Sequence, residues 1–189
     1  MNAFNMIDGL NGICAAVSLV PIIFITLFGN LSYGLLIPIG SILGFLAYNM
    51  GFLGKKRRVF LGDSGSNILG FLVEFMCIEY TQNTNNPYLL NPVTALWLVA
   101  IPLVDCINVM MSRVIRGIGP FDPGRDHLHH KLLSLGIKPK KIFYIFISFS
   151  VTLSLIGFII EQYFSEQAYI SFLAFLSLIH ISEPTRLSR

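Results

Sequence analysis

The sequence predicts an all-α, polytopic membrane protein with about six transmembrane helices. Three observations carry this. Only 12% of the 189 residues are charged, about half the roughly 25% of an ordinary soluble domain. The mean hydropathy is +0.70, and 54% of the chain is apolar, including 16 Phe; a soluble globule of this size could not cover itself with so few charges. When the apolar runs are laid out as spans, all 13 Lys and Arg fall on one side. The same composition excludes a disordered chain, a collagen-like repeat and a disulfide-stapled secreted module.

A helix needs about 20 mostly apolar residues to cross the hydrocarbon core. Six segments meet or approach this, at about 12–29, 33–53, 65–82, 93–112, 142–161 and 167–181. The third carries Glu74 and Glu79, the sixth is short, and Pro21 and Pro38 sit inside spans, where neighbouring helices absorb a kink. One transmembrane domain over residues 1–181 is expected, followed by a polar tail at 182–189. Residues 1–11 hold no basic cluster, and the first apolar run leads into further spans, so no cleavable signal peptide is expected. Cys14, Cys77 and Cys106 each lie inside an apolar run and read as small apolar fillers.

Six spans produce alternating loops. Lys55, Lys56, Arg57 and Arg58 fall between the second and third spans. Arg113, Arg116, Arg125, Lys131, Lys138, Lys140 and Lys141 fall between the fourth and fifth, while Arg186 and Arg189 follow the sixth. The opposite loops, around Asn30, 83–92 and 162–166, contain no Lys or Arg. The positive-inside rule makes the basic side cytoplasmic.

Three segments on that side hold the groups chemistry needs. In the first, Asn2, Asn5 and Asp8 lead into Gly9-Leu10-Asn11. In the second, Phe60-Leu61-Gly62-Asp63-Ser64-Gly65 opens the third span, where Asp63 or Ser64 could simply cap the helix. Two separate Asp-Gly sites at one face also fit a divalent cation held between carboxylates and a substrate phosphate. The third, 113–141, contains Pro120-Phe121-Asp122-Pro123-Gly124-Arg125-Asp126-His127-Leu128-His129-His130-Lys131. Its three imidazoles are open to three readings: zinc ligation, a solvated loop, or phosphate binding and proton transfer helped by Arg125 and Lys131. Arg113 and Arg116 also read as interface anchors, and the tetrabasic run as a topology signal that touches anionic lipid. Asp105 lies eight residues before Arg113, about 12 Å along a helix. An ionised Asp there costs about 3 kcal/mol on insertion scales, so it should face protein or a water-filled cavity. Glu74 has no obvious partner.

These segments together resemble the polyprenyl-phosphate N-acetylhexosamine-1-phosphate transferases of bacterial membranes. Most similar is the branch that loads GlcNAc-1-phosphate onto undecaprenyl phosphate. The resemblance rests on Asn-Ala-Phe-Asn-Met-Ile-Asp-Gly, Val-Phe-Leu-Gly-Asp-Ser-Gly-Ser, Pro-Val-Thr-Ala-Leu-Trp, Ile-Pro-Leu-Val-Asp and the Asp-His-Leu-His-His stretch. It implies a helical enzyme of the bacterial inner membrane with its active site facing the cytoplasm. That enzyme uses Mg2+, with Mn2+ as the alternative, to join a UDP-N-acetylhexosamine to undecaprenyl phosphate. UMP is released and cell-surface polysaccharide of the O-antigen kind is begun; no nucleic acid takes part.

By the resemblance, Asp63 is the metal-binding Asp and Asp8 an active-site Asp. Asn2 and Asn5 shape the nucleotide pocket, Phe60 stacks on uracil, and Asn49 matches a pocket Asn. His127 is catalytic, His129 and His130 bind substrate in the same loop, and Arg113 matches a functional Arg upstream of it; Arg125 is expected to bind substrate beside them. Two departures stand out. Asn11 replaces an Asp of many relatives, and the family's adjacent Asp-Asp pair occurs nowhere in the chain. Members have about ten or eleven spans, of which this chain supplies about the last six. The run Ile181-Ser182-Glu183-Pro184 to Arg189 breaks off the last span and reads as a truncation or scar. The rival readings are a non-catalytic membrane fragment or lipid-binding module, and a metal or ion transporter. The transporter reading predicts polar residues spread through the membrane depth, whereas most lie at one face.

Overall fold

The computed structural model describes all residues except 29–32, 83–89, 123, 165–166 and 183–189. The Asn30 turn, most of the 83–92 loop, part of the 162–166 loop and the polar tail beyond Ser182 lie outside the described residues. Among the described residues the chain is helical and has no strand. The helices are α1 (Asn2–Ile7), α2 (Ile13–Phe28), α3 (Tyr33–Asn49), α4 (Gly62–Gln82), α5 (Pro92–Leu98), α6 (Ala100–Ile115), α7 (Leu128–Ser134), α8 (Pro139–Phe164) and α9 (Ala168–Ser182), with a single 3-10 turn at Lys55–Arg57.

Helix α2 forms the centre. It is apolar on every side and buried along most of its length, from Ile13 to Thr26, which marks an interior helix. It packs against α3, α4 and α8. Ser18 and Thr26 return their hydroxyls to the carbonyls of Cys14 and Ile22 (2.8 and 2.6 Å), so neither hydroxyl hydrogen is stranded in the apolar interior. The short α1 lies across α4 at Gly70, where a Cβ would come within 3.0 Å of the Met1 Cα and 3.2 Å of the Phe4 Cβ. A second apolar cluster joins α5, α6 and α9 through Trp97 and Phe175, whose rings meet edge to face at 5.3 Å. The Trp97 indole N–H donates to Ser171 Oγ at 3.1 Å, and Trp97 fits against α8 because position 157 is glycine.

Each of the six apolar segments becomes helix, but among the described residues only α8 is by itself long and apolar enough to cross a membrane. At 1.5 Å per residue, the 16, 17 and 15 described residues of α2, α3 and α9 account for about 22–26 Å of a ~30 Å hydrocarbon core, and each helix adjoins residues outside the described ones. Helix α4 has the length, with 21 residues, but carries Asp63, Glu74 and Glu79. The segment expected as one span over 93–112 is two helices bent by 80°. The break falls at Val99 (φ −107°, ψ 19°). Pro102 explains it: it has no N–H for the Leu98 carbonyl, and its ring would strike that carbonyl in a continuous helix. Pro21 and Pro38, by contrast, lie inside α2 and α3 without ending them.

Candidate active site

Asp8 ends α1 as its C-cap, and Asp63 sits in the first turn of α4, where a carboxylate faces the positive end of the helix dipole. Gly62 takes φ +68°, a left-handed conformation that turns the chain into α4 and that a side chain would oppose. The two helices are tied together by Ser66, whose hydroxyl donates to Asn5 Oδ1 at 2.8 Å with the Asp63 carbonyl 3.1 Å away. Asp8 and Asp63 thereby share a cleft of about 320 Å3, which Asn11, Asn49 and Phe60 also line. Burial, and then the charge of Asp63, push the Asp8 carboxyl up to about 6. Phe60 is 80% exposed at this cleft. Asn49 is buried; its amide donates to the Val59 carbonyl at 2.7 Å, while its own Oδ1 has no hydrogen-bond partner.

A second cleft, of about 350 Å3, shares Gly9, Leu10 and Asn11 with the first and is lined on by Arg58, Lys140 and Phe143. Arg58 lies against Gly51, where a Cβ would meet its Nε at 2.7 Å. The acidic cleft thus continues into a basic one.

The histidine loop is built differently. His127 Nδ1 is 3.0 Å from Asp105 Oδ2, and the Leu128 amide donates to Asp105 Oδ1 at 2.8 Å. Both side chains are more than nine-tenths buried. The partner that a buried Asp105 requires is therefore the histidine loop itself. His129 is 1% exposed; its ring is parallel to that of His127 (6.0 Å, 4°) and 4.1 Å from that of His130. Burial, and then the neighbouring His130, lower His129 to about 4, so it is neutral at ordinary pH. Burial first, then Arg125, lowers His130 as well. The His129 ring rests directly on Gly9, next to Asp8, and leaves no room for a Cβ there. This contact brings the histidine loop to the carboxylate cleft.

Arg113 is buried beneath the same loop. Its Nε meets Asp126 Oδ2 at 3.2 Å, and its Nη1 donates to the carbonyls of Pro120, at 3.2 Å, and Asp122. Burial alone would raise the Asp126 carboxyl, but hydrogen bonds and charge from Arg113 and Arg116 hold it below the ordinary carboxylate value. The guanidinium of Arg113 ties the loop down, and only Nη2 is left without a partner.

The residues singled out from sequence therefore separate into groups. Asp8, Asp63, Asn49 and Phe60 meet at one cleft, with Asn5 behind it. His129 touches that cleft through Gly9, and His127 and His130 stand beside His129. Asn2 is exposed at the far end of α1, about 9 Å along the axis from Asp8, and Arg125 is exposed on the loop. The zinc reading is overturned: among the described residues no three His, Cys, Asp or Glu side chains are grouped to hold a metal ion, and His127 Nδ1 is engaged by Asp105. The solvated-loop reading is overturned by the burial of His127 and His129. The pairing of Asp105 with His127 and the seat of His129 on Gly9 were not readable as contacts. The one signal in the sequence was a charged residue inside an apolar run.

Residues 1–81 match the model of glycosyl transferase family 4. The chain is 36% identical over 168 residues to an undecaprenyl-phosphate alpha-N-acetylglucosaminyl 1-phosphate transferase of Yersinia pestis, covering 86% of this chain and 46% of that protein. It is 35% identical over 167 residues to the protein of the same name from Escherichia coli (85% and 45%). A third, from Haemophilus influenzae, is 36% identical over 154 residues (79% and 43%). No solved structure matches the chain. The chain spans a little under half the length of the curated relatives it matches. With its amino-terminal helices matching that family's model and most of its length similar to these transferases, the chain belongs to glycosyl transferase family 4.

Proposed function

We propose that the chain forms part of an enzyme that transfers N-acetylhexosamine-1-phosphate, with GlcNAc-1-phosphate as the preferred group, from a UDP-sugar to undecaprenyl phosphate. The observation that carries this reading is the meeting of Asp8 and Asp63 in one cleft beside Phe60 and Asn49, with the histidine loop seated on it through Gly9. In the reaction, an oxygen of the lipid phosphate forms a bond to the sugar-bearing phosphorus of the donor. The bond from that phosphorus to the bridging oxygen breaks, and UMP leaves with that oxygen.

Asp8 and Asp63 would hold a divalent cation, Mg2+ or Mn2+. Mg2+ is commonly bound by one or two carboxylates plus substrate phosphates rather than by an all-protein cage. Of the two causes that raise Asp8, burial and then the charge of Asp63, a cation between the carboxylates would relieve the second. When bound, the cation supplies charge neutralisation to the diphosphate. The exposed Phe60 ring offers a face for a pyrimidine, and the unpaired Asn49 Oδ1 offers an acceptor for a ring N–H. Arg58 and Lys140 give the adjoining cleft a positive potential suited to anionic substrate. The basic loops face the cytoplasm, and the six helical segments lie in the inner membrane, with the bent α5–α6 pair as one of them.

The adjacent Asp-Asp pair that the resemblance implies occurs nowhere in the 189 residues, so this chain alone is expected to lack charges that turnover needs. Purified protein given UDP-GlcNAc, undecaprenyl phosphate and Mg2+ should release no UMP, whereas co-expression with the amino-terminal half of a relative should restore transfer. Robust turnover by the chain alone would overturn the incomplete-site reading, and no transfer in either preparation would overturn the transferase reading. For sidedness, a variant with Ser at the three cysteines should react with an impermeant thiol reagent from the periplasm after Gln162→Cys and not after Lys138→Cys. The reverse pattern would place the clefts on the wrong side of the membrane.

A further inference from the structure

Asp105 is a carboxylate on α6, in a segment otherwise apolar up to Asn108. It is buried and makes two hydrogen bonds, both to the start of the histidine loop. An ionised carboxylate only accepts, so the hydrogen it receives from His127 sits on Nδ1. The second oxygen takes the Leu128 amide, the first N–H of α7. One side chain therefore fixes both the ring and the backbone that carries it. The ring's remaining polar atom is Nε2.

We propose that Asp105 is a positioning residue that holds His127 as its Nδ1–H form and presents Nε2 to a substrate phosphate. The phosphate rests on the functional reading above; the orientation does not. With Nδ1–H engaged, a neutral His127 offers a lone pair at Nε2 to a phosphate proton, and a charged one offers an N–H to a phosphate oxygen. Either is useful only if the ring cannot turn. Rotating it would break the bond to Asp105 and strand a buried carboxylate oxygen without its donor. The parallel His129 ring closes one flank, and its seat on Gly9 places the pair beside Asp8.

The alternative is that Asp105 merely caps α7 and braces the loop. Asp105→Asn separates the two roles. Its amide has one accepting oxygen for two converging donors, so if that oxygen keeps the Leu128 amide, its NH2 faces His127 Nδ1. The ring must then carry its hydrogen on Nε2. Ring-nitrogen NMR of histidine-labelled full chain in nanodiscs reads this directly, with His127 assigned by its loss in His127→Gln. The expected wild-type pattern is a protonated-type Nδ1 and an unprotonated-type Nε2, reversed in Asp105→Asn and restored in Asp105→Glu. An unchanged His180 signal and unchanged helicity would show that the variants fold. A protonated Nε2 in the neutral wild-type ring, or the wild-type pattern persisting in Asp105→Asn, would overturn the positioning role.

Adding undecaprenyl phosphate or UDP-GlcNAc in separate titrations should move the Nε2 signal far more than Nδ1, and the responding ligand identifies the phosphate. If neither moves it while the tautomer behaves as expected, the orientation stands and the phosphate-binding reading fails. Should Asp105→Asn lose its fold, His127→Gln with Asp105 intact still tests the site. Under the proposal it weakens binding of the responding ligand at least tenfold, read by calorimetric titration of wild type and variant, and unweakened binding would overturn the presentation of Nε2.

Discussion

The carboxylate cleft and the histidine loop lie side by side, yet they are finished to different degrees. At the cleft, Phe60 is 80% exposed and Asn49 keeps an unpaired acceptor. Asp8 is raised to about 6 by burial and by Asp63. At the loop, Asp105, His127, Arg113 and Asp126 are joined by short hydrogen bonds within the chain itself. The cleft is a set of groups that gain from a ligand, while in the loop the Asp105–His127 and Arg113–Asp126 pairs are satisfied and the buried His129 ring nitrogens are not. The difference predicts that changes at the cleft act on ligand and turnover, and changes at the loop act first on folding.

The largest expected effect sharpens the first half of that contrast. In an assembled enzyme competent for transfer, Asp63→Asn should lower turnover at least tens-fold, because a metal site loses at least this much even from an outer-shell change. The chain's thermal midpoint should barely change, since Asp63 is exposed and relieving its repulsion of Asp8 is favourable. UMP release and a melting curve on the same preparation check both statements. Near-normal Mg2+-dependent turnover would remove Asp63 from the metal site.

Arg113→Ala should do the opposite. It removes the donor to Asp126 and to the Pro120 and Asp122 carbonyls, and a stripped, partly buried hydrogen-bonded charge network costs about 2–4 kcal/mol. Denaturant unfolding should show this, with limited proteolysis near Gly119. Arg113→Lys should recover little, because an ammonium cannot reproduce the fork that reaches three acceptors. A melting point unchanged by Arg113→Ala would show that the loop does not depend on this residue.

A smaller effect is expected where the two regions touch. Gly9→Ala drives a methyl into the His129 ring and should cost about 1–3 kcal/mol, the usual range for overpacking. His129→Ala in the same chain should relieve most of it, giving a coupling in the double-mutant cycle. Additive effects would mean that Gly9 and His129 are not in contact.

Much of the arrangement was legible in the sequence and some was not, for definite reasons. Asp8 and Asp63 announced themselves because each sits in a Gly-punctuated turn beside an apolar run, the basic residues gathered these turns at one face, and Phe60 entered only through the resemblance. The break at Val99 was not readable: Pro102 forbids the bond to Leu98, but Pro21 and Pro38 remove the corresponding bonds without ending α2 and α3, and apolarity made 93–112 look continuous. The pair of Asp105 and His127 was half readable: the burial cost demanded a partner, but nothing local names a residue 22 positions away. Gly9 and His129 are 120 positions apart, and both look like ordinary loop residues until the fold sets one on the other. The expected bounds of the spans lie within a few residues of the helices, except that Val99 divides 93–112, because hydropathy measures composition and does not show where a helix bends.

The finest test of the contrast is pH, since one group from each region titrates in opposite senses. Folded Asp8 keeps its proton up to about pH 6, against an ordinary 3.8. Between these values the folded chain binds more protons at this site than the unfolded chain, so stability falls as pH rises. The Asp8 contribution is fully present below about 3.8 and is lost as pH rises through about 6. His129 runs the other way, with a folded value of about 4 against 6.5. Here the folded chain binds fewer protons between the two values, so the contribution is present above 6.5 and is lost as pH falls through about 4. The Asp8 and His129 slopes offset each other between about pH 4 and 6, and the lowered His130 leaves wild-type stability rising gently with pH there. Single variants separate them: Asp8→Asn should leave stability rising with pH across this window, and His129→Gln should leave it falling. Mg2+ should act on the Asp8 limb alone, because binding between two carboxylates favours the ionised Asp8. Its affinity should therefore drop below pH 6, by up to about tenfold per pH unit for one displaced proton. Denaturant midpoints at pH 4, 5, 6 and 7, with and without Mg2+, measure all of this. If Mg2+ shifts the midpoints of Asp8→Asn as much as those of the wild type, the cation does not bind at the carboxylate cleft.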